Sequence, residues 1–216
     1  MSINRTYAVL GLGRYGRSVA EELVRNGAEV LAVDSNEEYV KDASATIPVC
    51  KCADITDPEV IQQLGIAEMD VVVVAMASSL EASVMAITLC KEAGVKTVIA
   101  KTGDEMQQKI MSRVGADAVV FPEKESGIRL AKNLLSAGFA DLIELSDEVS
   151  MVEMDAKEAW IGKTLIQLDL RKKYSMNVVA IRQGNAIVTD IDPQKPLEAD
   201  MKLIVIANLK QLKKLK

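Results

Sequence analysis

One hexapeptide constrains this chain more than any other feature. Gly11-Leu12-Gly13-Arg14-Tyr15-Gly16 follows directly on the apolar run Tyr7-Ala8-Val9-Leu10 and opens a stretch with helical patterning. G-x-G-x-x-G between a strand and a helix makes a phosphate cradle. Gly11 permits the tight turn, Gly13 lets backbone approach a phosphate, and Gly16 lets helix pack on strand. The helix start adds unpaired N–H groups and a partial positive charge for the anion. A second half accompanies the motif: Asp34 ends the next apolar run, 18 residues past Gly16, where a carboxylate accepts from ribose hydroxyls. The plainer reading is that the glycines serve only a tight turn.

The first 120 residues repeat one grammar of apolar run, capped amphipathic stretch and glycine. Strands are expected at Tyr7–Leu10, Glu29–Val33, Pro48–Cys52, Val71–Ala75, Thr97–Ala100 and Ala118–Phe121. Between them lie helices starting near Gly13, after Ser35 or Asn36, at Asp57-Pro58, at Ser78-Ser79-Leu80-Glu81 with capping-box spacing, and at Asp104. The unbroken run Val71 to Ala75 has the signature of a parallel strand buried on both faces. Alternation with short connections dictates right-handed crossovers and a Rossmann-type, doubly wound parallel α/β sheet.

After Pro122 the grammar changes. Glu123 to about Ala137 reads as a crossover helix with the apolar stripe Ile128, Ala131, Leu134 and Leu135. Beyond Gly138 two-residue alternation with polar turns indicates a small α+β module. Its strands are expected at Val149–Met154, Asn177–Arg182, Ala186–Thr189 and Lys202–Ile206, with a short helix within Thr164–Tyr174 and a last helix from Asn208. The expected organisation is therefore a nucleotide-binding domain over 1–122, a crossover helix and linker over 123–140, and a ligand-binding module over 141–216.

Composition excludes several classes. A net charge of −5 lacks the basic face of a nucleic-acid binder. No apolar run approaches the roughly 18–20 residues of a membrane helix, and Met1-Ser2-Ile3-Asn4-Arg5 leads into the first strand without a signal-peptide core, so a cytoplasmic protein is expected. Cys50, Cys52 and Cys90, with no C-x-x-C spacing and no histidine anywhere, read as buried thiols in a reduced compartment rather than a zinc site. Absence of histidine also removes the commonest general acid/base. None of the four tyrosines has a lysine four positions on, and no G-x-x-x-x-G-K-[ST] is present. A nucleotide site without catalytic groups points to sensing rather than to an enzyme.

Asp34 favours a free ribose diol over a 2′-phosphate. Arg14 inside the loop, and Arg17 just after it, are candidates for phosphates beyond the first, which suits ATP or ADP better than a dinucleotide. NAD fits the motif equally well, so an NAD(H)-binding sensor or an NAD-dependent oxidoreductase is the competing reading. A transcriptional redox sensor would need a winged-helix segment, and none is apparent.

The sequence resembles the regulator-of-potassium-conductance (RCK) family, specifically its cytosolic Ktr/Trk-type potassium-uptake subunits. The resemblance rests on Val9-Leu10-Gly11-Leu12-Gly13-Arg14-Tyr15-Gly16, Leu31-Ala32-Val33-Asp34, Leu64-Gly65-Ile66, Val114-Gly115-Ala116-Asp117 and Phe121-Pro122-Glu123-Lys124. Leu170-Arg171-Lys172-Lys173-Tyr174 with Asn177-Val178-Val179-Ala180-Ile181 is similar to the family's second domain. It implies a non-catalytic gating subunit at the inner face of the cell membrane, forming dimers and an octameric ring beneath a membrane-embedded potassium channel. It further implies that ATP and ADP set the ring's shape. Gly11, Gly13, Arg14, Tyr15, Gly16 and Lys101 would then hold phosphates, Asp34 the ribose, and Glu123 a bridging Mg²⁺ or other cation. For the second domain it implies cyclic di-AMP bound by Leu170, Arg171, Asn177, Val178, Ala180 and Pro193. The plainer reading is that Val178 and Ala180 are core and Asn177 a turn former.

Overall fold

Strand β1 (Thr6–Leu10) becomes fully buried over its last three residues, as a strand covered on both faces must. In the computed structural model, residues 5–76, 79–135, 139–146 and 148–208 are described. Contacts divide the chain into two compact units, Met1–Glu125 and Ser126–Lys216.

The first unit carries β1, β2 (Glu29–Asp34), β3 (Val49–Cys52), β4 (Val71–Val74), β5 (Thr97–Lys101) and β6 (Ala118–Val120). They form one sheet in the order β3-β2-β1-β4-β5-β6. Every pairing is parallel. All four valines of β4 are buried, placing the core where the sequence pattern predicts it. The strand order reverses between β1 and β4, and ligands of open α/β sheets bind in the crevice at the carboxyl ends there. Helices α1 (Arg14–Arg25), α2 (Glu37–Ala43), α3 (Pro58–Gln63), α4 (Leu80–Glu92) and α5 (Glu105–Val114) supply the crossovers. Asn36, Asp57, Ser79 and Asp104 cap α2 to α5 with their side chains. Helix α1 differs: its N-cap is Gly13, which has no side chain to satisfy the first N–H groups. At α4 the expected capping box is not built, because Ser79 is the cap and its N3 residue is Ala82; Ser78 lies outside the described residues.

Helix α6 (Pro122–Leu135) follows. Of its expected stripe, Ile128, Ala131 and Leu134 are exposed, at 45% for Ile128 and 74% for Leu134, and the Leu135 side chain lies outside what is described. The second unit then adds a five-stranded sheet of order β10-β9-β11-β8-β7, antiparallel throughout. Its strands are β7 (Phe139–Glu144), β8 (Val149–Asp155), β9 (Met176–Gln183), β10 (Ala186–Val188) and β11 (Met201–Asn208). Val152, Leu203 and Val205 face a core shared with Trp160 and Leu168. Strand β7, which sequence patterning missed, has its register with β8 shifted between Ala140 and Leu142. That irregularity breaks the two-residue period by which strands are read. The single helix expected within Thr164–Tyr174 is two, α7 (Leu165–Leu168) and α8 (Leu170–Tyr174), separated by Asp169 in the left-handed conformation. Asn208 ends β11 rather than beginning a helix, and the helix expected beyond it lies outside the described residues. Among the described residues no helix is long and apolar enough to cross a membrane.

Candidate functional site

The glycine turn is held by three close approaches. Gly11, with φ at +100°, adopts a conformation that side chains resist, and a Cβ there would stand 2.7 Å from Met76 Cγ. Gly16 lies beneath it: an added Cβ would come 1.9 Å from the Gly11 carbonyl oxygen and 2.9 Å from Ala75 Cβ. Its glycine serves packing of α1 on the sheet, and Gly16 does not line the cavity described next. Gly13 is the opposite case. A Cβ at Gly13 would meet no protein atom within 4 Å, so packing inside this chain does not demand its glycine.

What Gly13 borders is a cavity of about 590 Å³ at the carboxyl ends of the strands, within the range of small-ligand sites. Gly11, Gly13, Arg14 and Tyr15 line it from the turn, Asp34 and Ser35 from the end of β2, Lys101 from the end of β5, and Glu123 from the start of α6. Seven of the residues predicted to hold nucleotide or metal are thus brought together. Asp34 does two structural things at once: Oδ2 accepts the Leu12 N–H at 2.6 Å and Oδ1 accepts the Asn36 N–H at 2.8 Å.

The far end of the cavity is cationic. The Lys101 side chain is only 13% exposed; its Nζ donates to Glu123 Oε1 at 2.8 Å and stands 5.8 Å from the centre of the Tyr15 ring. The hydrogen bond from Lys101 is the main reason the Glu123 carboxyl sits below its usual range, with the charges of Lys101 and Arg14 adding to it. Burial pushes the Tyr15 hydroxyl up, reinforced by Glu125 and Glu123. Arg14 is exposed at the rim and makes no ion pair among the described residues. Arg17 does not share the site: its guanidinium is held by Glu21 at 2.8 Å, away from the cavity lining.

Sequence reasoning missed the remaining wall. Tyr39, Asp54, Ile55, Thr56, Ala75, Met76, Ser79 and Ala82 also line the cavity. Asp54, Ile55 and Thr56 follow β3, and Met76 and Ser79 follow β4; the rule that ligands lie beyond the carboxyl ends of strands was the available signal.

Among the described residues no three His, Cys, Asp or Glu side chains group to hold a metal. Glu123 offers one ionised carboxylate, enough for a Mg²⁺ that takes its other oxygens from phosphates and water.

The six residues expected in the second unit are differently placed. Leu170 and Ala180 are buried, and Val178 packs against the core. Arg171, Asn177 and Pro193 are exposed, and the Pro193 carbonyl accepts the Ile166 N–H at 3.4 Å. A cavity of about 140 Å³ in this unit is lined by Ile181, Asp190, Asp192 and Lys195 among others, and by none of the six.

Comparison with known proteins is consistent along the chain. The TrkA-N domain family matches residues 7–122 and the TrkA-C domain family residues 149–216. The chain is 35% identical over 207 residues to Ktr system potassium uptake protein C of Bacillus subtilis, covering 96% of this chain and 94% of that one. It is 33% identical over 211 residues to Ktr system potassium uptake protein A of the same organism, covering 98% and 95%. A solved GsuK channel bound to NAD shares the fold, with a TM-score of 0.63 and 14% identity over 98% of this chain and 38% of that longer one.

Proposed function

The chain belongs to the TrkA-type family that includes the Ktr potassium-uptake proteins, and from that premise we propose that it is the non-catalytic, nucleotide-sensing gating subunit of a potassium channel or transporter. The observation that carries the reading is the Gly13 position. Its absent side chain leaves clear a cavity rimmed by Arg14 and Lys101, a geometry that suits a phosphate tail and that internal packing does not require. Asp34 suits an unphosphorylated ribose at the neighbouring strand end.

A ligand shifts a conformational equilibrium only through its differential affinity for the two states. ATP and ADP share the adenosine contacts, so discrimination falls to groups that reach the terminal phosphate: Arg14, Lys101 and Glu123. A Mg²⁺ held between Glu123 and phosphate oxygens would neutralise charge that otherwise crowds that end. Phosphate oxygens and water would complete such a site around Glu123, and in this reading the chain assembles into dimers and an octameric ring. In this reading the protein is cytoplasmic and peripheral at the inner membrane face, held there by its channel partner. The second unit binds cyclic di-AMP through Arg171, Asn177 and Pro193 at its surface, with Leu170, Val178 and Ala180 shaping the support beneath.

Asp34 suits the diol of NAD as well as that of ATP, so NAD or NADH is the second reading for the same cavity. Calorimetric titration of the purified chain with ATP, ADP, NAD and NADH separates the two. Binding of ATP and ADP with distinct affinities, weakened unequally by Arg14→Ala, is the expected result. Tight binding of NAD(H) alone would overturn the ATP/ADP reading, and binding of none would overturn nucleotide sensing.

A further inference from the structure

Strand β3 closes one edge of the first unit's sheet and pairs only with β2 among the described residues. The Ala53 N–H donates towards β2, to the Asp34 carbonyl, so the alternation of a strand turns the N–H and C=O groups of Cys50 and Cys52 outward. An edge of this kind is a template for an added strand. Its surroundings are acidic. Residues 34–70 hold nine carboxylates and two lysines, a larger acid excess than the −5 of the whole chain. Glu37 and Glu38 stand on α2, which covers one face of the sheet, and Glu59 on α3, which covers the other. All three are exposed and make no ion pair among the described residues.

At the amino end of β3 lies a second cavity, of about 360 Å³, lined by Val30, Leu31, Pro48, Val49 and Met69 among others. Val49 is 48% exposed there. Glu29 is the one charged residue of the lining, and it too is exposed and without an ion pair among the described residues. The exposed Glu68 stands beside it, its carbonyl accepting the hydroxyl of Thr6, another lining residue, at 3.3 Å. This cavity shares no residue with the nucleotide cavity, which opens at the other ends of the strands.

We propose that the β3 edge docks a basic, extended cytoplasmic segment of the membrane-embedded partner, which adds as a strand and anchors an apolar side chain in the second cavity. The inference rests on the potassium-uptake reading above, which supplies a membrane partner. Charge complementarity selects this occupant. Cytoplasmic loops of membrane proteins carry an excess of Lys and Arg, and such a segment meets uncompensated carboxylates along the whole edge. A second copy of the chain would instead set acid against acid across a two-fold axis. Main-chain bonds and the apolar anchor supply affinity, and the carboxylates supply steering and register.

Calorimetric titration of the full chain with short synthetic peptides tests the surface, using alternating lysine–valine, glutamate–valine and lysine–glycine sequences. The lysine–valine peptide is expected to bind and the glutamate–valine peptide not to. The lysine–glycine peptide, which lacks an apolar anchor, should bind at least roughly tenfold more weakly. Glu29→Lys combined with Glu68→Lys should weaken the lysine–valine peptide by a similar factor, with melting temperature and ATP affinity unchanged. Glu92→Lys, on α4, should leave peptide binding as it is in wild type. Equal binding of the lysine–valine and lysine–glycine peptides would reduce the edge to diffuse charge attraction and overturn the docking site. Equal binding by wild type and the double variant would overturn it as well. A changed oligomeric state of the double variant in analytical ultracentrifugation would assign the edge to a second copy instead. If ATP binds and no peptide does, the docking site is wrong while nucleotide sensing stands. If the lysine–valine peptide binds and no nucleotide does, the docking site stands and nucleotide sensing fails.

Discussion

Asp34 Oδ2 accepts the Leu12 N–H at 2.6 Å, so the carboxylate at the end of β2 clasps the turn that leaves β1. Its other oxygen accepts from Asn36, at the cap of α2. One side chain therefore fixes two strand–helix junctions and still lines the cavity. Asp34→Ala should lower stability by about 1–3 kcal/mol, because the buried Leu12 N–H loses its acceptor. Asp34→Asn should rescue that only in part, since its amide sets a donor against one of the two N–H groups. Both variants should weaken ATP and NAD alike. A chemical denaturation series paired with titration decides it, and unchanged stability in Asp34→Ala would contradict the clasp.

The glycines separate folding from binding. Gly16→Ala forces a Cβ to within 1.9 Å of the Gly11 carbonyl and should cost on the order of 3 kcal/mol as α1 is displaced. Gly13→Ala meets no protein atom within 4 Å at an ordinary φ of −61°, so its stability should stay within about 1 kcal/mol of wild type. Yet it should lose nucleotide affinity at least about tenfold, because the methyl group occupies the phosphate approach. Equal melting temperatures with equal affinities for wild type and Gly13→Ala would mean that no phosphate sits there.

These contrasts show what was legible from residues alone. G-x-G-x-x-G and Asp34 combine local turn chemistry with a fixed spacing, and both survive intact in the structure. Four of the five helix starts in the first unit are side-chain caps, which are local signals too. Asp54 escaped notice because an Asp-x-Thr turn is common, and only the parallel register beside Asp34 gives it a place in the cavity. Strand β7 escaped because its bulge disrupts alternation. Periodicity located the apolar stripe of α6, but periodicity is silent on what covers a stripe, and Leu134 remains exposed within the chain.

The Lys101–Glu123 ion pair places a carboxylate in competition with phosphate for the same ammonium group. Glu123→Gln should tighten ADP several-fold in the presence of a chelator, by releasing Lys101 and removing a repelling charge. In Mg²⁺ the same change should weaken ATP. Because Lys101 holds the Glu123 carboxyl below its usual 4.5, the pair forms above that value and is lost only as pH falls through the lowered one. The chelator effect should therefore be flat from about pH 7.5 to 9, where the terminal phosphate of ADP, with a second pKa of roughly 6, is already ionised. A steep change within that window would assign the effect to another group.

Cys90 tests the core of the first unit. It is fully buried in α4, and burial pushes its thiol from 9.0 up to about 12. A group whose pKa is raised on folding stabilises the fold fully below its unfolded value and loses that contribution as pH climbs through the folded one. The stability difference between wild type and Cys90→Ala should accordingly shrink from pH 9 towards pH 12 and be constant below pH 8. Urea denaturation at stepped pH measures it; a gap that does not move with alkali would place the thiol in contact with water.

Leu170 and Arg171 are neighbours with opposite fates, one in the core of the second unit and one at its surface. Leu170→Ala should destabilise by roughly 2–5 kcal/mol through the lost contacts and the space left behind. The chain's single tryptophan, Trp160, lies in the same core with its ring centre 6.0 Å from that of Tyr174, so its fluorescence follows this unit's unfolding. Arg171→Ala should leave that transition within about 0.5 kcal/mol, as expected for an exposed side chain. It should also abolish calorimetric uptake of cyclic di-AMP, since a guanidinium facing two phosphates supplies charge-assisted contacts that alanine cannot replace. Were cyclic di-AMP to bind Arg171→Ala as it binds wild type, or to bind neither, the ligand role of α8 would fall and Leu170 and Ala180 would stand as core residues alone.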